Sequence, residues 1–291
     1  MANSLREVKV RISSTESTAQ ITKAMYMVSQ SKVKKAEKNY KSYQDFMKRI
    51  SSTVSNIVKK ASDEYPHPLL VQRDVKKTAY LIITSDRGLA GAYNSGLFKE
   101  FKQYIANNHK SNDEFMVTSI GKKGFSFIVK EKYNTIQKDP TLVRDDVMFI
   151  DIEPLARSII DSYLNTEIDK LVIVYNHYIN SISQEIRFDT LLPIGSIEGE
   201  ESSIDYAYET GIEKTLNLIL PMYIQDIIYG IILDAKTSEH SARQNSMKNA
   251  TDNADEVIAK LQLLYNRARQ NVITTELIDI IGGANAIGGE K

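Results

Sequence analysis

Two glycine-containing turns lie where an α/β protein would hold a phosphate or a nucleotide. The first, residues 85–91 (SDRGLAG), follows an apolar run, and the second, residues 121–124 (GKKG), follows another. A dinucleotide site needs the spacing G-x-G-x-x-G, and a P-loop ends in Gly-Lys followed by a serine or threonine that binds magnesium. Neither turn has these features, so we interpret both as turns that follow parallel strands.

The histidines and paired carboxylates are the remaining candidates for acid–base or metal chemistry. No histidine has the spacing of a zinc-binding helix, and no G-x-S-x-G nucleophile elbow occurs. Cysteine is absent, which excludes disulfides and thiolate metal sites. We expect the pairs Asp145-Asp146 and Glu200-Glu201 to lie in acidic loops. The histidines, each expected to be structural or solvent-exposed, are His67, His109, His177 and His240. We therefore expect no catalytic residue, no cofactor and no metal.

Charge is distributed unevenly although the net charge is zero. Residues 1–60 contain thirteen lysines and arginines against four acidic residues, whereas residues 145–213 contain three against fifteen. The basic segment is either a solvated helix face or a surface that meets an acidic partner. The acidic middle and the lack of a groove-reading motif argue against nucleic-acid binding.

The first sixty residues carry a heptad pattern. Seam positions alternate in steps of three and four from Leu5 to Ile57, with no proline or glycine before Pro66. Such spacing keeps one stripe facing a partner helix, which is typical of a coiled coil about 80 Å long. Small and polar residues occupy the seam between Thr15 and Ser29. They either allow close helix approach or face something besides the partner helix.

The middle of the chain alternates strands and helices. Strands are predicted at 78–84, 114–120, 146–151 and 171–178, and an edge strand is predicted at 184–192. This alternation predicts a Rossmann-like α/β domain with a mainly parallel sheet over residues 75–195.

A second long helix is predicted from residue 206 to 287, with a seam from Ala254 to Ala268. It should pair with the first helix (residues 1–62) as an antiparallel coiled coil, with the α/β domain inserted between them. The apolar tip (residues 273–287) should extend beyond the first helix and be buried in another protein. The apolar stretch 216–233 is interrupted by Asn217, Pro221 and Gln225, so no transmembrane helix is predicted.

Motifs in this order and spacing resemble the gamma subunits of bacterial rotary ATP synthases over essentially the whole chain. The motifs are residues 21–29 (ITKAMYMVS), 85–94 (SDRGLAGAYN), 238–247 (SEHSARQNSM), 250–254 (ATDNA), 265–270 (YNRARQ) and 273–277 (ITTEL). Tyr26, Ala90 and Thr275 depart from residues common in the family, and Thr275 weakens any expectation of a glutamine contact there. Nothing resembles the thiol-regulated insertion of the chloroplast version.

The resemblance implies a non-catalytic central-stalk rotor. It would turn inside a head of alpha and beta subunits, contact the epsilon subunit and the c-ring, and lie at the cytoplasmic face of the cell membrane as a peripheral protein. Met25 would face an acidic loop of the beta subunit and approach the stretch 238–248, which includes Arg243. The residues implied to contact the beta subunit or to support that contact are Arg269, Gln270, Thr274 and Glu276. Two alternatives stay open: a structural coiled-coil adaptor and an α/β nucleotide-binding protein.

Overall fold

The computed structural model describes residues 2–61, 66–195, 197 and 211–288. It contains two compact units, one formed by residues 1–28 and 244–291 and the other by residues 29–243. The elements in chain order are α1 (Ala2–Ala61), β1 (Thr78–Ile83), α2 (Tyr93–Asn108), β2 (Phe115–Ile120), α3 (Lys122–Glu131), α4 (Phe149–Leu164), β3 (Lys170–Tyr178), β4 (Gln184–Leu192) and α5 (Ile212–Gly288). Both α1 and α5 contribute segments to each unit.

The larger unit contains a four-stranded sheet in the order β2-β1-β3-β4. The strands β2, β1 and β3 are parallel, and β4 lies antiparallel to β3 at the edge. All six residues of β1 and of β2 are buried. Their unbroken apolar character follows from helices that cover both faces of a parallel sheet. The predicted class, a mainly parallel α/β domain inserted between two long helices, is confirmed.

Alternate residues of β1 enter two different cores. Leu81 and Ile83 point to one face, where α4 and the α1 and α5 segments of this unit pack. Tyr80 and Ile82 point to the other face, against α2 and α3. This alternation is the period-two geometry of a strand, and it leaves the sheet with a helical layer on each side.

The strand predicted at 146–151 is wrong. Residues 149–151 begin α4 instead, because the carboxylate of Asp151 accepts a hydrogen bond from the Met148 backbone N–H at 3.1 Å and so caps the helix. Ile152, Ala156 and Ile159 then follow at helical spacing and are buried.

In the larger unit α1 and α5 run antiparallel. The Tyr43 hydroxyl donates to the Asp226 carbonyl at 2.7 Å, and the Ser51 and Tyr223 hydroxyls lie 3.2 Å apart. A later residue of α1 thus meets an earlier residue of α5. The predicted end of the first helix at residue 62 lies outside the described residues. So does the acidic segment from 198 to 210, which includes Glu200-Glu201 and the predicted start of the second helix at residue 206.

By length and composition alone α5 could cross a membrane, contrary to the expectation from its interrupted apolar stretch. Its apolar stripe nevertheless packs in the core of the larger unit, as in a core helix of a globular protein. The stripe consists of Leu216, Leu220, Ile224, Ile228 and Ile232, which are all fully buried.

In the smaller unit the two helices meet through small and polar residues. The hydroxyls of Thr22 and Thr251 lie 2.8 Å apart, and Ala19, Met247 and Ala254 are buried. The weak part of the predicted seam therefore supports close helix approach. Counting from the Thr22–Thr251 pair, the first residue of α1, Ala2, falls opposite about residue 271 of α5. The apolar side chains around and beyond that point are exposed, and they include Ile273, Leu277, Ile278, Ile280 and Ile281.

Candidate functional site: a polar collar on the C-terminal helix

Ten consecutive residues of α5, Asp234 to Arg243, are buried on every side of the helix. A helix that packs one face on a core normally leaves its opposite face exposed. Here five of the ten side chains are ionisable, so their burial requires partners. We call this stretch the collar segment, and its ionisable residues are Asp234, Lys236, Glu239, His240 and Arg243.

The turn after β1 is closed by the chain's own polar groups. One oxygen of the Asp86 carboxylate accepts a hydrogen bond from the Lys122 N–H at 2.9 Å, and the other accepts one from the Val143 N–H at 3.3 Å. The Lys123 and Gly124 N–H groups donate to the Ser85 carbonyl and the Thr84 hydroxyl. The amino end of α3, where an α/β protein would bind a phosphate, is therefore already satisfied.

The backbone at position 121, directly after β2, requires glycine. Its φ is +97°, and a Cβ there would lie 2.3 Å from the Thr84 carbonyl oxygen. The position accepts no side chain, so this glycine is required by the turn itself, as the sequence interpretation held.

The crevice at the carboxyl ends of β1 and β3 is filled by α5. This is the switch point of the sheet, where open α/β domains bind their ligands. The Tyr93 hydroxyl donates to the Ala235 carbonyl at 3.0 Å, and Tyr93 packs with Ala90 and Ala242. The Asn176 side chain donates to the Tyr93 carbonyl at 3.2 Å. A helix thus occupies the position where a small molecule would bind.

Arg243 links the collar segment to the turn after β1. Its guanidinium lies 2.7 Å from the Glu239 carboxylate and 3.4 Å from the Gly88 carbonyl. Lys236 lies 3.0 Å from the same carboxylate. Burial alone would raise the pKa of Glu239, but Lys236 and Arg243 outweigh it and hold this pKa below its usual value. Glu239 is therefore a buried carboxylate held between two cations.

Asp234 joins α5 to the end of β3. Its carboxylate accepts hydrogen bonds from the His177 ring at 2.5 Å and from the Tyr178 N–H at 2.8 Å. The Tyr40 hydroxyl on α1 also bonds to it. Burial raises the pKa of Asp234, although these hydrogen bonds act in the opposite direction.

The β3–β4 hairpin holds the opposite side of the collar segment. The Ser238 hydroxyl donates to the Gln184 side-chain oxygen at 2.6 Å, and the Ser241 hydroxyl donates to the Ser181 carbonyl at 2.7 Å. Tyr178 of β3 hydrogen-bonds to Glu37 of α1. The hairpin therefore contacts both long helices.

The acidic loop before α4 meets the basic face of α1. Lys32 and Lys35 pair with Asp145 and Asp146, each at 2.6 Å, and the His240 ring lies 3.6 Å from Asp145. The predicted acidic partner of the basic segment is thus partly the chain's own loop. Burial lowers the pKa of His240 to about 4, although Glu239 and Asp145 oppose that shift.

The arrangement can join elements mechanically, but it offers no visible reaction geometry. The collar segment is tied to α1, the turn after β1, the β3–β4 hairpin and the loop before α4. Among the described residues, no cluster of three histidine, cysteine or acidic side chains could hold a metal ion.

The residues implied by the family resemblance belong to both units. Arg243 is buried in the larger unit, whereas Met25 is half-buried in the smaller one. The proposed approach of Met25 to the stretch 238–248 stays a prediction. Four side chains of α5 in the smaller unit are exposed and form no hydrogen bond or ion pair with a described residue: Arg269, Gln270, Thr274 and Glu276.

Asp234 and Lys32 were not predicted from the sequence, and His177 and His240 were expected only to be structural or solvent-exposed. One local signal was available, since Asp234 directly follows a long apolar run. Its partner His177 lies 57 residues away, and the Lys32–Asp145 pair spans 113 residues. No local pattern joins positions so distant.

A family model and two curated proteins match this chain over nearly its whole length. A family model described as ATP synthase matches residues 4–287. The ATP synthase gamma chain of an Exiguobacterium species is 43% identical over 284 residues, covering 98% of this chain and 99% of that one. The gamma chain of Exiguobacterium sibiricum is 42% identical over 283 residues, covering 97% and 99%.

Two solved structures are also similar. One is a cryo-EM structure of the Tetrahymena thermophila mitochondrial ATP synthase central stalk and c-ring, with a TM-score of 0.59 and 26% identity, covering 79% of this chain and 99% of that one. The other is a cryo-EM structure of the Euglena gracilis mitochondrial ATP synthase, with a TM-score of 0.66, covering 100% and 97%. The second likeness, at 20% identity, concerns the fold alone.

Proposed function

This chain belongs to the ATP synthase gamma chain family, and from that membership we propose that it is the rotating shaft that couples ion translocation to ATP synthesis or hydrolysis. It is a non-catalytic subunit of the central stalk. Its proposed partners are the alpha and beta subunits of the catalytic head, the epsilon subunit and the c-ring.

The burial and bonding of the collar segment are the observations that support the mechanical part of this proposal. Torque that enters through the α/β domain must reach the long helices without loss to local bending. The collar segment is held by contacts from α2, the turn after β1, the β3–β4 hairpin and the loop before α4, and each of its ionisable side chains has a partner. Such a satisfied network fixes one arrangement and resists displacement.

The exposed tip of α5 supports the proposed insertion into a partner. Ile273, Leu277 and Ile281 are about half exposed, and a cluster of large apolar side chains on a helix end is typical of an interaction site. We propose that an apolar sleeve of the catalytic head surrounds this tip. Arg269 and Gln270 would donate to acidic beta-subunit groups, with Thr274 and Glu276 supporting that contact.

The proposed mechanism is a shift of populations by differential contact. At each angle the asymmetric helices would stabilise a different set of beta-subunit conformations, so rotation would change nucleotide affinity without any bond chemistry in this chain. We place the assembled subunit at the cytoplasmic face of the bacterial membrane as a peripheral component. The ion would be a proton or sodium.

The closed amino end of α3 and the filled switch-point crevice argue against a nucleotide-binding enzyme at that site. The remaining alternative is a structural adaptor, which would not associate with alpha and beta subunits.

Reconstitution tests the proposal directly. The chain is mixed with matching alpha and beta subunits, and a bead attached to the α/β domain is followed during ATP hydrolysis. Stepwise rotation in one direction is expected. Assembly without rotation would leave a static stalk, and failure to assemble would favour the adaptor.

A further inference from the structure

A second polar site lies at the opposite edge of the sheet from the collar. A cleft of about 430 Å³ opens at the amino ends of β1 and β3, beside the carboxyl end of α2. Its volume is in the range of small-molecule sites. The lining residues with polar or charged groups relevant here are Lys76, Tyr80, Asn108, His109, Glu114 and Lys170.

Three side chains form an ordered floor in this cleft. The Tyr80 hydroxyl lies 2.7 Å from Nε2 of His109, and Nδ1 of His109 lies 3.4 Å from the Glu114 carboxylate. The His109 ring is therefore held between the Tyr80 hydroxyl on one side and the Glu114 carboxylate on the other. The Tyr80 oxygen keeps a lone pair for a donor from lysine or ligand.

The acidic groups near the cleft are already engaged. Glu114 accepts from the Lys110 N–H at 3.0 Å in addition to its contact with His109. Asp169, next to Lys170, accepts from the Lys76 and Lys77 N–H groups and pairs with Arg73 at 3.1 Å.

The two lysine ammonium groups, by contrast, have no counter-ion among the described residues. Neither Lys76 nor Lys170 forms a side-chain hydrogen bond or ion pair with any residue that the structure describes. Two like charges that line one cleft repel each other, and an anion bound between them would offset this repulsion. The carboxyl end of α2 adds partial negative charge at Asn108, so attraction for an anion must come from the lysines.

We propose that this cleft binds the phosphate group of a small phosphate monoester, held between Lys76 and Lys170 above the Tyr80–His109 floor. Lysine is a common phosphate ligand, and two ammonium charges match a dianion. The cleft is larger than a phosphate group, so the rest of the ligand would contact Tyr104 and the wall of α2. The site does not depend on the rotary function.

Calorimetric titration of the 291-residue chain at low salt tests the proposal, with inorganic phosphate and glycerol 3-phosphate as probes. Saturable binding is expected, tighter for glycerol 3-phosphate. Lys76→Ala and Lys170→Ala should each weaken binding about tenfold or more, since each removes one ion pair. Lys123→Ala, an exposed lysine at the other edge of the sheet, is the matched control.

Thermal melting of each variant verifies that it folds like the parent chain. His109→Gln adds a second check that keeps both lysines, and it should weaken binding by disturbing the floor. No saturable binding of either probe would overturn the proposal. So would binding that Lys76→Ala and Lys170→Ala leave unchanged.

Discussion

The His177 ring and the Asp234 carboxylate meet at 2.5 Å, although 57 residues separate them in the chain. This contact ties the end of β3 to the collar segment of α5. The same carboxylate accepts the Tyr178 N–H at 2.8 Å, and Asp234 itself is only 3% exposed. One acidic side chain therefore satisfies two donors of β3 at the junction between the α/β domain and the long helix.

Asp234→Ala should lower the free energy of unfolding by about 2–4 kcal/mol, because it removes a buried acceptor and leaves the half-buried donors on His177 and Tyr178 unsatisfied. Asp189→Ala is the matched control. Asp189 is half-buried and accepts from the Tyr175 hydroxyl at 2.9 Å, so its removal should cost about 1 kcal/mol. Urea unfolding of both variants measures the difference. Equal losses would mean that the Asp234 contacts add nothing beyond an ordinary hydrogen bond.

His240 should make the fold sensitive to mild acid. Its pKa is about 4 in the folded chain because it is buried, against an ordinary value of 6.5. The unfolded chain therefore binds more protons in this window, and stability is lost as pH falls from 6.5 towards 4. The loss attributable to this residue should reach about 3 kcal/mol.

Chemical unfolding at several pH values, compared between the parent chain and His240→Gln, isolates this effect. Glu239 and Asp145, which face His240, also have lowered pKa values. They lose their stabilising contribution as pH falls below their usual values of 4.5 and 3.8, outside the range from 6.5 to 5. Burial also lowers the pKa of His67, but both chains contain this residue, so the difference between them in that range reports on His240. A variant with the same slope as the parent chain in that range would contradict the assignment.

Gly230 should tolerate no side chain. A Cβ there would lie 2.7 Å from Cε1 of Tyr43, whose hydroxyl is fixed on the Asp226 carbonyl. Gly230→Ala should therefore destabilise the chain by about 1–3 kcal/mol, through overpacking that outweighs the better helix propensity of alanine.

Gly96→Ala supplies a control of opposite sign. Gly96 also lies in a helix, but its added Cβ would meet only the Ile186 side chain at 3.8 Å, an ordinary contact. This substitution should stabilise by up to about 1 kcal/mol. Thermal melting compares the two variants, and stabilisation by Gly230→Ala would show that Tyr43 moves aside freely.

Periodicity was enough to predict most elements of the fold. The apolar runs at 78–84 and 171–178 are β1 and β3 within one residue at each end, and the alternating segment 184–192 is β4. These patterns are local. A strand buried on both faces is a continuous apolar run, and an edge strand alternates apolar and polar residues, so each can be recognised from its own sequence. The strand prediction for 146–151 was wrong because the four consecutive apolar residues 147–150 fit a strand as well as the start of a helix. Only the cap from Asp151 decides between them.

The contacts of the collar segment were harder to predict because its partners lie far away in the chain. Residues 238–247 were identified through family resemblance, yet nothing in them indicates that Ser238 and Ser241 contact a hairpin at 181–184. The charge imbalance suggested an acidic partner for α1. It did not indicate that Asp145 and Asp146 of the same chain supply part of that partner.

Met25→Lys should leave assembly intact and impair coupling. Met25 is half-buried on α1, and we infer that it faces an acidic beta-subunit loop in the assembled enzyme. A lysine there would form an ion pair that holds the shaft preferentially at some angles, which changes the relative populations of the beta-subunit states. ATP hydrolysis should therefore continue while ATP-driven ion pumping falls.

Met27→Lys, two residues away and 55% exposed, is the matched control and should pump normally. Normal pumping by Met25→Lys in membrane vesicles would remove Met25 from the coupling surface.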